Sequence, residues 1–284
     1  MEVFHQIIPM RRHLENLRCK GMQIGFVPTM GALHSGHIAL LDACKKENDV
    51  NVCSIFVNPI QFNNQQDFKK YPRKFTDDFA VLEVNGCDVI FQPDDSEIYK
   101  NTPITNFSFG VLDNLMEGSF RPGHFNGVAL VVAKLLNIVQ PHYAYFGQKD
   151  LQQFMIVKKL ITDLSFNTTL VRVPTQRDPD GLALSSRNQR LNDEQRKKAT
   201  VYYQALKEAE LNLKQGKSVS DTKLLINGLF GHDPEVSLEY FEIVDESSLK
   251  PLNDHSQING MAVALCIAGY LGSVRLIDNL ITEL

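Results

Sequence analysis

The chain has 284 residues, 43% hydrophobic and 22% charged, an ordinary globular composition that excludes a disordered, collagenous or disulfide-built protein. At roughly 100–200 residues per domain, this length accommodates one large or two modest domains. Lys and Arg number 29 against 33 Asp and Glu, a net charge of −4, so the chain lacks the basic field of a nucleic-acid reader or of a protein held on an anionic membrane.

The opening MEVFHQIIPMRRHLENL has no unbroken apolar run of the kind a secretory signal needs. Met10, Leu14 and Leu17 share one helical face, and Gly21 is placed to end that helix. Residues 22–27 predict a short buried strand, followed by the turn Pro28-Thr29-Met30-Gly31. A helix is expected over 36–46 and a second strand over 51–57. Thr76 reads as the N-cap of a helix opening on Asp77-Asp78, and 88–91 as another strand. An apolar helix over 125–139, a strand at 143–146, a helix over 150–164 and a strand at 168–173 follow. Strands separated by helices of this length make βαβ units and a parallel sheet.

The pattern changes near residue 175. A loop with Gly and Ser over 178–188 leads to Asn192, and Gln195 three residues on forms a capping box for an amphipathic helix that runs to Lys214 and stops at Gly216. A shorter helix around 220–230 and strands at 236–244, 261–268 and 273–277 complete the chain. The expectation is an α/β protein, with a Rossmann-like parallel-sheet domain over residues 1–175 and a smaller α+β domain over 176–284. The five cysteines (Cys19, Cys44, Cys53, Cys87, Cys266) are odd in number and lack C-x-x-C spacing. That pattern indicates reduced thiols, mostly small core hydrophobes, in a cytoplasmic protein. The longest apolar run, 261–268, falls far short of the ~20 residues of a membrane helix, so no membrane partner is expected.

Three segments carry candidate chemistry. Met30-Gly31-Ala32-Leu33-His34-Ser35-Gly36-His37 lies between the first strand and its helix, where open parallel sheets bind ligands and helix N-termini offer free N–H groups to anions. His34 and His37, three apart, can project from one side of the first turn. The bland reading is that one histidine caps the helix and the other is solvated, and half of a metal site is a further reading that no additional Cys or His cluster completes. Phe146-Gly147-Gln148-Lys149-Asp150 repeats the strand-end, helix-start placement; Lys149 supplies a compact cation, while Asp150 suits the helix dipole with or without a ligand. Gln152 and Gln153 follow on the first turn, and one of them can face the same cleft. Gly181-Leu182-Ala183-Leu184-Ser185-Ser186-Arg187-Asn188 places two hydroxyls and a guanidinium in a loop that either closes over a polyphosphate or serves as a flexible linker.

His34-Ser35-Gly36-His37 resembles the H-x-G-H signature of the nucleotidyltransferase superfamily. More narrowly, residues 28–34, Val57-Asn58-Pro59-Ile60-Gln61-Phe62, Tyr71-Pro72-Arg73, Arg121-Pro122-Gly123-His124-Phe125, residues 146–153 and 180–188 resemble, in order, the pantothenate synthetase (pantoate–β-alanine ligase) family. The resemblance spans about 22–192, and the C-terminal part matches only in size and placement. It implies ATP-dependent condensation of (R)-pantoate with β-alanine through a pantoyl-adenylate, in a homodimer. By position, Met30, Gly31, Ala32, Leu33, His34, Ser35, Gly36 and His37 would hold ATP, with His34 and His37 near the phosphates and His37 a proton donor. Gln61 and Gln153 would bind pantoate, and Gln61 β-alanine too. Gly147, Gln148, Lys149 and Asp150 would contact ribose and phosphates, and Leu184, Ser185, Ser186 and Arg187 would form a loop over the triphosphate. Gln176 stands where the family carries an apolar residue beside adenine, and Asp77 aligns with a carboxylate near Mg2+.

The side chains suit that chemistry in their own right. A carboxylate attacking the α-phosphorus is an anion approaching an anion, so positioning and charge stabilisation dominate. His34, His37, Lys149 and Arg187 are the donors available, and the expectation is that they converge on one triphosphate. A helix N-terminus disfavours imidazolium and bound triphosphate favours it, which leaves the histidine charge open at this point. A nucleotidyltransferase acting on another substrate would share the histidine motif without needing Gln61 and Gln153. A nucleotide sensor would bind ATP and release no pyrophosphate. A nicotinamide site is disfavoured because G-x-G-x-x-G is absent after the first strand.

Overall fold

The strands β1 (Glu2–Phe4), β2 (Ile24–Thr29), β3 (Val50–Ile55), β4 (Val89–Phe91), β5 (Tyr143–Gly147) and β6 (Thr169–Val173) pair in parallel, in the spatial order β1-β4-β3-β2-β5-β6. The computed structural model describes residues 1–63, 65–253 and 260–284. The chain falls into two units, Met1–Gln148 with Gln152–Pro174, and Lys149–Leu151 with Thr175–Leu284. The sheet belongs to the first, with helices α1 (Ile7–Cys19), α2 (Ser35–Glu47), α3 (Gln65–Lys70), α4 (Phe75–Val84), α5 (Asp95–Ile98), α6 (Met116–Phe120), α7 (His124–Val139) and most of α8 (Leu151–Asp163). No described helix is long and apolar enough to cross a membrane.

The chain steps from β2 to β3 to β4 in one direction, then returns to lay β5 on the other side of β2. That reversal is the switch point of an open parallel sheet, and the crevice beyond the carboxyl ends of the strands there is where such folds bind ligands. The turns after Thr29 and Gly147 are therefore the ones aimed at it. Leu40, Leu41 and Cys44 anchor α2 onto Val27, Ile55, Ile90 and Tyr145 of the sheet. Each such large side chain contributes roughly 1.5–3 kcal/mol by burial, so the start of α2 is fixed from beneath. Burial pushes the Cys44 and Cys87 thiols up to about 12, so they stay protonated and behave as small apolar groups.

Several elements differ from expectation for identifiable reasons. β2 continues through Pro28 and Thr29, where a turn was expected. The Thr29 carbonyl turns toward β3 and accepts from Phe56 N at 3.0 Å. Pro28 therefore faces the β5 side, where pairing ends at Phe26, and its missing N–H removes no ladder bond. Thr76 is not an N-cap: the helix opens from Lys74, whose carbonyl accepts from Asp78 N at 2.8 Å, and Thr76 lies inside the first turn.

In the second unit, β7 (Val236–Asp245), β8 (Ala262–Leu271) and β9 (Val274–Glu283) form an antiparallel sheet in that order. Helices α9 (Asp193–Lys198), α10 (Val201–Lys214) and α11 (Val219–Gly228) accompany it, and Ala205, Leu206 and Ala209 of α10 share a core with Val263, Leu265 and Ile267 of β8. The Asn192–Gln195 capping box is present. The single helix expected from there to Lys214 is divided at 199–200, where both residues keep right-handed helical backbone and Thr200 Oγ1 donates to Lys197 O at 2.9 Å. β9 runs to Glu283, well past the expected end at 277, because the polar pair Asp278-Asn279 interrupts the apolar pattern while remaining buried.

Glu210 on α10 gives this unit a pH dependence. Burial alone would raise its carboxyl, but donors from Lys207, Lys214 (2.8 Å) and Thr282 Oγ1 (3.0 Å) outweigh burial and lower it from 4.5 to about 2. A carboxylate depressed on folding stabilises above its unfolded value and loses that contribution as pH falls through the folded one. Both lysines are about half exposed, which reduces the gain to about 1–2 kcal/mol. Thermal melts should therefore fall more steeply between pH 4.5 and 2 in the native chain than in Glu210→Gln, and parallel curves would remove this role.

Candidate active site

The turn after β2 is built around a carboxylate. Gly31 (φ 77°) and Ala32 (φ 50°) both adopt left-handed backbone, an uncommon conformation for alanine. Asp78, 2% exposed on α4, holds them there: Oδ2 accepts from Ala32 N at 2.9 Å and Oδ1 from Leu33 N at 2.8 Å. A Cβ on residue 31 would lie 2.8 Å from Asp78 Oδ2, so glycine is required for both its φ and its closeness to the carboxylate.

His34 and His37 then cap α2 reciprocally. His34 Nδ1 accepts from Gly36 N at 3.1 Å and His37 Nδ1 accepts from His34 N at 3.3 Å, with ring centroids 4.1 Å apart. Because both Nδ1 atoms accept, each neutral ring carries its proton on Nε2, and an imidazolium would have to give up its cap. The pair is thus a helix cap and, at the same time, two Nε2–H groups at a switch-point helix terminus. Ser35 is exposed beside them.

Gln61 is 7% exposed at the end of the 3-10 turn Pro59–Gln61. Its Oε1 accepts from Asn58 Nδ2 at 3.1 Å, and its Nε2 lies 3.0 Å from Met30 Sδ. Asn58 is fixed in turn by Gly127 O (3.1 Å) and the Tyr99 hydroxyl (2.8 Å). Arg121 donates to His124 Nε2 at 3.0 Å, which leaves His124 Nδ1–H to donate to Gln61 O at 2.9 Å. Asn58, Tyr99, Arg121 and His124 therefore support Gln61, a role that sequence reading left unassigned. Of the two glutamines on α8, Gln152 is committed to structure: it donates to Leu112 O (2.7 Å) and Leu115 O (2.9 Å) and accepts from Glu117 N (3.0 Å). Gln153 is half-buried one position on.

Gly147 and Gln148 belong to the first unit, Lys149 and Asp150 to the second. Lys149 lines a pocket with Ser185, Arg187 and Asn188 within the second unit, while the two imidazoles meet in the first. Ser185 Oγ accepts from Arg187 N at 3.2 Å and caps the 3-10 turn Ser186–Arg190, while Ser186 is buried. Leu184 N donates to Gln176 O at 3.0 Å, so these two positions are joined through the backbone and the Gln176 side chain is exposed. Asp150 is exposed.

Among the described residues, no group of three or more His, Cys, Asp or Glu is placed to hold a metal ion. Asp77 is an exposed carboxylate beside Asp78, whose oxygens already serve the turn. A lone hard oxygen donor fits Mg2+ carried on phosphates, since that ion keeps water and phosphate ligands and takes only one or two carboxylates.

The contrast between the adjacent acids is testable. Asp78→Asn leaves a buried backbone N–H facing an amide NH2, at a cost of about 1–3 kcal/mol, whereas exposed Asp77→Asn stays within about 0.5 kcal/mol. Thermal denaturation should lower the melting temperature of the first variant by several degrees and leave the second unchanged. Equal shifts would remove the clamp assigned to Asp78.

The family model described as pantoate-beta-alanine ligase matches residues 2–281. A pantothenate synthetase of Carboxydothermus hydrogenoformans is 45% identical over 285 residues, covering 100% of this chain and 99% of its own. That of Cytophaga hutchinsonii is 44% identical, covering 96% of each chain. Among solved structures, pantothenate synthetase from Thermus thermophilus superposes with a TM-score of 0.90 at 42% identity over 99% of both chains. The Francisella tularensis pantoate-beta-alanine ligase, complexed with beta-gamma ATP and beta-alanine, gives 0.83 at 37% identity over 100% of this chain and 98% of that one.

Proposed function

The chain belongs to the pantoate–β-alanine ligase family, and from its own residues we propose how it carries out that family's reaction, the ATP-dependent formation of pantothenate. The observation that carries the reading is the reciprocal His34–His37 cap at the switch point, which turns a helix N-terminus into an anion site with two Nε2–H donors. In the first step a pantoate carboxylate oxygen bonds to the α-phosphorus of ATP. The α–β bridging bond breaks, and pyrophosphate leaves with its electron pair. In the second step the β-alanine amine attacks the acyl carbon, the bond to the phosphate oxygen breaks, AMP leaves, and the amine proton is lost as the amide forms.

Neither step needs a nucleophilic side chain. His34 and His37 donate to the phosphates, with His37 meeting the developing charge. Lys149 and Arg187 supply fixed positive charge to phosphate oxygens, Lys149 as a point and Arg187 as a fork. Residues 30–33 and 147–148 offer backbone to the nucleotide, Asp150 its carboxylate to the ribose hydroxyls, and the 176–184 backbone pair its edge to the base. Gln61 and Gln153 bind pantoate through their amides, and Gln61 also meets β-alanine. Asp77 would hold Mg2+ arriving with the nucleotide, and the ion would offset part of the phosphate charge. Residues 1–175 bind nucleotide and pantoate, residues 176–284 act as the lid that shields the adenylate from water, and the enzyme works as a cytoplasmic homodimer.

The test is to incubate the protein with ATP and Mg2+, with and without pantoate and β-alanine, and to follow pyrophosphate and AMP. Pyrophosphate exchange into ATP should require pantoate and proceed without β-alanine, and AMP should turn over only when both are present. Exchange that ignores pantoate would assign the histidine motif to a different nucleotidyltransferase.

A further inference from the structure

We propose that Arg177, Asp278 and Asn279 are positioning residues for the nucleotide, joining the turn that bears Lys149 to the loop that bears Ser185 and Arg187; this rests on the ligase reading above. Asp278 and Asn279 are adjacent on β9, and both are buried. Arg177 meets the Asp278 carboxylate with both terminal nitrogens, Nη1 to Oδ2 at 2.5 Å and Nη2 to Oδ1 at 2.9 Å. The same fork reaches two main-chain carbonyls, Nη1 donating to Gly181 O at 3.0 Å and Nη2 to Asn279 O at 2.9 Å. Its guanidinium lies 4.2 Å from the centre of the Tyr203 ring. Gly181 sits against that ring in left-handed backbone (φ 94°), and a Cβ there would come within 2.0 Å of Tyr203 Cδ1. The loop ahead of Ser185 is therefore pinned to Arg177 at one point and packed on Tyr203 at another.

The second connection leaves from the neighbouring side chain. Asn279 Nδ2 donates to the carbonyl of Lys149 at 2.9 Å, so one strand dipeptide holds the Lys149 turn through Asn279 and the 181–187 loop through Asp278 and Arg177. Lys149, Arg187 and Asp278 line a common pocket. Burial pushes the Asp278 carboxyl up, and the charges of Arg177 and then Lys149 pull against it. A buried ion pair adds little net stability over an apolar pair of the same size, so stability alone gives no reason for a charged residue in mid-strand. What the pair does supply is direction. A planar fork with four partners admits one geometry of the loop, and cations that must meet phosphate oxygens need that geometry before the ligand arrives.

The test uses Asn279→Ala, which removes the bond to Lys149 and keeps the backbone carbonyl that accepts from Arg177, and Asp278→Asn, which removes the charge. In the full chain, kcat/KM for ATP should fall about ten- to a hundredfold, the loss expected when a distant change displaces a reacting group. The KM values for pantoate and β-alanine should stay within about twofold and the melting temperature of Asn279→Ala within a few degrees. A purely structural role would lower the melting temperature and leave ATP kinetics alone, or raise all three KM values together, and either result overturns the proposal. Should Asp278→Asn fail to fold, Asn279→Ala, with the ion pair whole, still decides. Calorimetric titration with a non-hydrolysable ATP analogue in the absence of pantoate separates this inference from the ligase reading. Weaker binding by Asn279→Ala upholds the positioning role even if the native chain shows no pantoate-dependent exchange, and equal binding overturns it.

Discussion

Replacing His37 by alanine should slow pantoate-dependent pyrophosphate release by about two to three orders of magnitude, the usual loss when one preorganised donor to a developing charge is removed. The size of the effect follows from the cap. With Nδ1 engaged by His34 N, the ring proton sits on Nε2 and the imidazole is locked in orientation, so donating to the transition state requires no reorganisation. Alanine also leaves the His34 N–H without its acceptor, a change worth about 1 kcal/mol of helix stability, while Leu40, Leu41 and Cys44 keep α2 seated on the sheet. The melting temperature should therefore drop by only about 2–4 °C. Single-turnover measurement of pyrophosphate with saturating ATP and pantoate reads the chemical step, and native turnover in His37→Ala would falsify the donor role.

The parts of the site that were readable from sequence are those whose chemistry is local. His34, Gly36 and His37 lie within one helical turn, so a helix cap was among the readings their spacing offered, and the cap is what the structure shows. The parallel sheet was equally readable, because apolar runs such as those at 51–57 and 143–146 alternate with helices of a length that forces crossovers. What sequence could not reveal is support supplied across long separations. Asp78 is 46 residues from Ala32 and looks no different from its neighbour Asp77, and only folding makes one a buried clamp and the other an exposed carboxylate. Asn58 and Tyr99 are joined across 41 residues to brace Gln61. Asp278 and Asn279 misled the strand assignment outright: two polar residues read as the end of β9, because a buried charge in mid-strand makes sense only once Arg177, 101 residues away, is seen beside it.

Lys149→Ala should act on the adenylation step almost alone, lowering its rate by about a hundredfold or more, because a point charge on phosphate oxygens is most valuable while a carboxylate approaches the α-phosphorus and pyrophosphate departs. Two features of the structure confine the damage. The bond that holds this turn comes from Asn279 to the Lys149 main-chain carbonyl, which alanine retains, so the turn should keep its place. Arg187, lining the same pocket, still offers its guanidinium, so ATP should bind, with KM raised less than kcat is lowered. In the second step the nucleophile is a neutral amine and the leaving group a phosphate monoester, so loss of one cation costs little, within about threefold if the step senses only that leaving charge. Lys149→Arg should recover part of the rate, since charge is restored while a planar fork replaces a compact ammonium. Feeding isolated pantoyl-adenylate with β-alanine to Lys149→Ala measures the second step by itself. A variant that adenylates at the native rate and stalls only at amine attack would move this lysine from the triphosphate to the acyl centre, and with it the division of labour drawn between Lys149 and His37.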